Sequence, residues 1–203
     1  HLSAHTLVHH VHVGTAKDPS TARRGEGFYR FFIRAWVGGF RGGLAAENKR
    51  FPMLGRPAYR HPYVAYIVGA VLMLLASFLL GGAKGLLGAI CLAGFAQIQL
   101  MMSDYVQHYG LSRRIMANGK PEPVNARHSW NAPHAMSSAL MLNAPRHSDH
   151  HAHPARPFPS LRLESDMPML PYSLPVMACL ALWPKLWRKV MDPLASEWQM
   201  PAE

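Results

Sequence analysis

Two stretches of this chain carry no charge at all. They run from Tyr63 to Ala83, "YVAYIVGAVLMLLASFLLGGA", and from Gly85 to Ser103, "GLLGAICLAGFAQIQLMMS". A helix of about 20 apolar residues spans the hydrocarbon core of a bilayer, so both are long enough, and only "GGAKG" separates them. The pattern predicts an all-α integral membrane protein with one transmembrane helical hairpin, about 62–82 and 85–107, whose two ends share one side of the membrane. The buried core of a soluble helical bundle is the alternative, but its helices are rarely apolar on every face.

Composition agrees with a membrane setting. The 203 residues include 21 Lys+Arg against 11 Asp+Glu, a formal charge of +10. Such a balance suits nucleic acid, anionic lipid or an acidic protein. With 49% hydrophobic residues and only 16% charged, against about 25% charged in soluble domains, membrane is favoured and no nucleic-acid partner is expected. Ten Lys/Arg lie in residues 14–60, and Arg113, Arg114, Lys120 and Arg127 follow the second run, while the turn has only Lys84. The positive-inside rule places both flanks in the cytoplasm.

Before the hairpin, "GEGFYRFFIRAWVGGFRGGLAAENKR" mixes aromatics and arginines at helical spacing. It suits a helix at the lipid interface and equally an ordinary amphipathic helix packed on a core. "LPVMACLALW", Leu174 to Trp183, is too short to span and is closed by Pro184; it reads as a packed cytosolic or re-entrant element. Cys91 and Cys179 lie far apart in apolar surroundings, which predicts small packing residues rather than a disulfide. The chain opens at His1 without Met, with no signal-peptide pattern, and is expected to be part of a longer protein.

The thirteen histidines all fall in segments assigned to the cytoplasmic side. "HTLVHH" places His5, His9 and His10 as H-x3-H-H, and "HSDHH" places His147, His150 and His151 as H-x2-H-H. Helical residues three or four apart share a face, so His5 with His9, and His147 with His150 and His151, can each aim at one point. His9 and His10 diverge by about 100°, which suits two neighbouring metal ions. Two such clusters point to metal binding. In "SDYVQHYGL", His108 is a third candidate, with Asp104 one turn earlier able to accept its second N–H; a capping or interface role is the plainer reading of a lone helix-end histidine.

The runs "HTLVHHVHVGTAKDPSTARRGEGFYRF", "DYVQHYGL", "HSWNAPHAMSSALMLNAPRHSDHHAHP" and "LWRKVMDP" resemble, in order and spacing, the membrane-bound alkane 1-monooxygenases of the desaturase and hydroxylase superfamily. The resemblance covers essentially the whole chain. It implies a fragment of a six-helix membrane fold, the C-terminal part of one hydroxylase domain, with two Fe ions held as a non-haem di-iron centre by nine histidines. Seven positions carry over: His5, His9 and His10 as the second box, His108, and His147, His150 and His151 as the third. The first box, His-Glu-x-x-His, has no counterpart here. On this division residues 1–60 hold the second box and interfacial helix, 61–108 the hairpin and 109–203 a cytosolic region with the third box.

The family often has Glu where this chain has Ala4 and Gln107, which weakens the support of the neighbouring rings. Asp104, Asp149, His128 and His134 are candidates to orient ligands or hold structure, while His1, His12, His61 and His153 are placed outside the ligand set. All-imidazole coordination suits Fe, Cu or Zn rather than the oxygen-seeking Ca or Mg. The resemblance implies conversion of n-alkanes to 1-alkanols with O2 and electrons from rubredoxin and its reductase, at the cytoplasmic face of a bacterial inner membrane, in a multi-pass protein contacting membrane lipids. This chain alone is expected to be inactive. A fatty-acyl desaturase or hydroxylase, or a xylene-type monooxygenase, is the alternative within the superfamily, and a non-catalytic metal-binding membrane protein the alternative outside it.

Overall fold

The computed structural model describes residues 1–199. Every extended element among them is a helix, and β pairing is limited to the isolated bridges Ile115–Pro121 and Asn131–Met169. Leu2–Ala4, His5–His9 and His10–His12 run on as one helix, α1, whose middle is a π-helical turn. Then follow α2 (Phe28–Arg50), α3 (Pro62–His108), α4 (Ala135–Leu140), α5 (His147–Ala152), α6 (Leu174–Ala181) and α7 (Pro184–Gln199).

The two charge-free runs fall in the single 47-residue helix α3. It is the one described helix long and apolar enough to cross a membrane, and its most apolar stretch is wholly exposed. His61 caps its start, its Nδ1 accepting from Tyr63 N–H at 3.2 Å, and Pro62 supplies a pre-set φ at the first position. Its regular path breaks at Gly82, where φ is 57° and ψ −148°, a conformation that an L side chain resists. Beyond the break Gly85 lies directly against the carbonyl of Ser77, residues that a straight helix would hold about 12 Å apart.

Both ends of α3 meet α2. The Tyr63 hydroxyl donates to the Phe40 carbonyl at 3.1 Å, and at the other end the Tyr105 ring packs on Phe28 and Phe31 at 5.6 and 5.2 Å. The core gathers here, where Met101, Met102, Tyr105 and Val106 join Phe28, Phe31 and Ala35 of α2, Leu174, Met177 and Ala181 of α6, and Trp187, Met191 and Ala195 of α7. Positions 187, 191 and 195 form one stripe at helical spacing, so α7 closes the core. The 174–183 stretch is thus packed as expected. Cys91 and Cys179 are both free, as expected, but a packing role is corrected: both are exposed, each on the outer side of its helix.

α1 lies across α2 at Gly39 and Gly43. A Cβ on Gly43 would come within 2.6 Å of the Tyr63 hydroxyl and 2.9 Å of the Ala4 backbone nitrogen, and the second of these cannot give way without moving the helix that carries His5, His9 and His10. Gly43→Val is therefore expected to destabilise the fold by about 1–3 kcal/mol, read as a lowered melting temperature in detergent, whereas Gly88→Val, with open space around it, leaves the melt nearly unchanged.

Candidate metal centre

The seven predicted histidines come together from three separate parts of the chain. They form two adjoining groups: His9, His108, His147 and His151 in one, His5, His10 and His150 in the other, with the ligand atoms in each within 4.8 Å of one another. Nε2 of His147 lies 3.0 Å from Nε2 of His108 and 3.1 Å from that of His151, and Nε2 of His5 lies 3.1 Å from that of His10. The groups touch: the His10 and His151 ring centroids are 4.6 Å apart.

The division differs from the expected one, in which His5 shared a point with His9 while His10 diverged, and His147, His150 and His151 shared one point. The cause in α1 is the π turn, in which His10 N–H bonds to the His5 carbonyl, five residues back. Its wider turn brings residues five apart onto one face, so His5 pairs with His10 and His9 is turned to the other group. Such turns inside α-helices are frequent at functional sites. In α5, the i, i+4 pair His147 and His151 shares one face and His150 turns to the second group. Each box thus contributes to both points.

The loop after α1 supplies a residue that the spacing argument missed. Asp18, in "DPST", accepts from His9 Nδ1 at 2.8 Å, Thr21 Oγ at 2.6 Å and Ser20 N–H at 2.9 Å. The last contact is an Asx turn, for which an Asp before Pro-Ser is a readable signal. With Nδ1 committed to Asp18, His9 presents Nε2 to the group, the arrangement of a carboxylate-oriented metal ligand. The loop is pinned by Arg34, whose fork holds Glu26 at 2.7 and 2.8 Å and reaches the Pro19 and Thr21 carbonyls.

The candidates named for orientation fall elsewhere. Among the described residues Asp104 makes no hydrogen bond to His108; the His108 Nδ1 faces Ser129 Oγ at 3.4 Å. Asp104 is buried near His9 and Ser20, with Oδ2 unpartnered. Asp149 ties α5 to the following loop through His153 Nδ1, Arg156 and the Arg162 N–H, touching no grouped imidazole. His128 joins Glu122 and the Asn125 N–H, and His134 stands at the start of α4. His1, His12, His61 and His153 lie outside both groups. Ser129 and Asn131 of "HSWN" do hold the site: Asn131 and Ser148 bond each other at 2.7 and 2.9 Å, and Ser148 Oγ donates to the Ser129 carbonyl.

Electrostatics keep the rings neutral. Burial, then the repulsion of neighbouring imidazoles, lowers His5 to about 3 and His10 to about 4, holds His150 below its ordinary value and holds His147 and His151 far below it. His9 is the exception: burial opposes its charge, but the Asp18 hydrogen bond and charge outweigh that and raise it. His9 Nε2 and the Nδ1 atoms of His5, His10 and His151 are buried without a hydrogen-bond partner. The convergence of Nε2 atoms from neutral rings in each group, with His9 Nε2 unpartnered among them, is what a transition-metal ion requires, so the donor set fits one ion per group.

The sequence profile of the fatty acid desaturase family matches residues 2–181. This chain belongs to that family. Alkane 1-monooxygenase 1 of Alcanivorax borkumensis is 35% identical over 96% of this chain and 48% of its own length. Alkane 1-monooxygenase of Pseudomonas putida is 37% identical over 96% and 49%, and the xylene/toluene monooxygenase hydroxylase component of Pseudomonas putida 30% identical over 96% and 52%. The chain spans about half the length of these relatives.

Within this member of the desaturase family the two departures from the motif have local partners. Ala4 is the small residue that rests on Gly39 and Gly43, and Gln107 accepts from Ser103 Oγ at 2.7 Å and donates to the Ala144 carbonyl at 3.2 Å. Asp18 carries the carboxylate support instead. Asp18→Asn is expected to weaken metal binding at the His9 group by about 10–100-fold, seen in a metal titration as selective loss of the tighter of two steps.

The depressed histidines also set a pH dependence. Below their ordinary value of 6.5 the unfolded chain takes up protons that folded His5 and His10 refuse until about pH 3 and 4. The metal-free fold therefore loses stability as pH falls from 6.5 towards 4; Asp18, held below its ordinary value, adds to the loss at the acid end, while the raised His9 contributes its stabilisation throughout this range. Melting temperatures of metal-stripped protein across this range are expected to fall steadily, and a restored metal is expected to raise them most at the neutral end, because coordinated imidazoles still refuse the protons the unfolded chain takes up.

Proposed function

We propose that this chain is part of an alkane 1-monooxygenase, which converts an n-alkane, O2, two electrons and two protons into a 1-alkanol and water. The observation that carries this reading is the pair of adjoining imidazole groups, four and three, at the end of the one long apolar helix. The names of the relatives support it. On this reading the groups hold two iron ions, further histidines come from outside these residues, and α3 is a transmembrane hairpin in a multi-pass, six-helix fold with the site on the cytoplasmic face of a bacterial inner membrane. The break at Gly82 and the contacts of both α3 ends with α2 support the hairpin.

Bound iron would supply the redox chemistry that activates O2 for attack on an unactivated C–H bond. The work of this chain's own residues is positional. His9, fixed by Asp18, and His108, beside Ser129, hold the buried group, while His5, His10 and His150 form the more open one. A cavity of about 380 Å³ reaches His5, His147 and His150 between Leu2, Leu100 and Phe158. Its apolar walls admit a hydrocarbon end and bring the terminal carbon nearest the metal groups. Neutral imidazoles keep their lone pairs for coordination at cytoplasmic pH. Rubredoxin, with its reductase, is the proposed electron donor, and the basic flank suits an acidic partner.

A second reading rests on the 30% identity to the xylene/toluene monooxygenase component: oxidation of an aromatic side chain at the same site. Whole protein assayed with octane, xylene and a fatty acid separates them, and 1-octanol as the main product is expected. In the same assay His150→Ala abolishes turnover while membrane insertion persists, since the ligand lies outside the apolar run. Full turnover in that variant, or an inert protein that retains only Zn or Cu, overturns the reading.

A further inference from the structure

The outer face of α6 and the start of α7 is left uncovered by the described residues. Tyr172, Val176, Cys179, Leu180, Trp183 and Leu186 line one apolar groove of about 410 Å³, with Trp183 61% and Tyr172 53% exposed. Nothing in the metal site uses it. Single exposed apolar residues are ordinary, but a continuous patch of this kind marks a binding surface.

Three observations identify the occupant. First, α6 packs against α3, its buried side Leu174, Met177 and Ala181 sharing a core with Met101, Met102 and Tyr105. That is the point at which the apolar run of α3 gives way to Ser103 and Asp104. Second, the patch continues onto α2: the Tyr29 hydroxyl donates to the Leu182 carbonyl at 3.1 Å, and Tyr29, Ile33 and Trp36 of that helix are themselves exposed. Third, Lys185 and Lys189, one turn apart, are exposed beside the groove, whereas the acidic residues of α7 lie farther along it, with Asp192 engaged by the Tyr109 hydroxyl at 2.6 Å. Aromatic rings with basic side chains, at the level where an apolar helix ends, are the chemistry of a bilayer interface.

We infer that residues 172–189 are seated in the membrane interface, with the Tyr172–Trp183 groove against the acyl boundary and Lys185 and Lys189 against the phosphates of anionic phospholipid. This rests on the reading that α3 lies in a bilayer, and the two exposed cysteines allow each to be tested alone. The whole protein, with every cysteine but one replaced by Ser, is labelled with bimane at Cys179 or at Cys91 and reconstituted in vesicles of phosphatidylcholine and phosphatidylglycerol.

Lipid-borne bromine is expected to quench both probes and aqueous iodide to quench them little, with Cys179 quenched more by brominated phosphatidylglycerol than by brominated phosphatidylcholine. Lys185→Gln with Lys189→Gln brings that preference towards one, each lysine contributing up to about fivefold at low ionic strength. Strong iodide quenching without bromine quenching at Cys179 would place the face in water and overturn the inference. Protection from both quenchers means that protein covers it, which overturns it as well. Failure at Cys179 alone spares the membrane reading of α3; failure at Cys91 removes both.

Discussion

Seven imidazoles packed against one another, four of them buried and three half-buried, impose the constraint on which the rest of the site depends. Each neutral ring has one N–H and one lone pair, and inside protein neither can be left without a partner at low cost. Ring nitrogens converge at 3.0–3.1 Å, a spacing at which lone pairs repel unless a proton or a cation lies between them. The N–H of a neutral ring can bridge one such contact, and further protonation is resisted, because burial and neighbouring rings hold His5, His10, His147, His150 and His151 below their ordinary value. A shared metal ion satisfies several lone pairs at once. The hydrogen-bonded loops around the cluster make sense as the scaffold for that requirement: Arg34 and Glu26 fix the Asp18 loop, Asn131 and Ser148 fix α5, and Trp130 Nε1 ties the same segment to the Tyr109 carbonyl at 2.8 Å.

The apolar helix and the identity of the clustered histidines were legible in the sequence because each rests on a local rule. A charge-free run of membrane-spanning length has few other uses, and two H-x(2,3)-H-H clusters are hard to place in an ordinary core. How the ligands divide was not legible. The division needs the π turn at His5–His9, whose i+5 hydrogen bond leaves no pattern distinguishable from an α-helical i+4, and it needs α1 and α5 to face each other across a long stretch of chain. Asp18 could have been found from "DPST", since Asp before Pro-Ser announces an Asx turn. That its second oxygen reaches His9 depends on the fold of the whole loop. Asp104 shows the limit of spacing in the other direction: one turn from His108 in sequence, it is directed towards Ser20 and His9 instead.

The two groups are not equivalent. His9, His108, His147 and His151 are all buried, and the first is held by a carboxylate that is itself fixed by two further hydrogen bonds. His5, His10 and His150 are half-buried and have no such carboxylate, and His5 and His150 border the cavity that also reaches Leu100 and Phe158. A carboxylate accepting from a ligand's N–H raises the basicity of that ligand and restricts its motion, so the buried group is built for retention. The more open group, with weaker support and an apolar approach, is built for access. This asymmetry follows from the π turn, since a regular α-helix would have sent His5 and His9 to the same point and left neither group both closed and oriented.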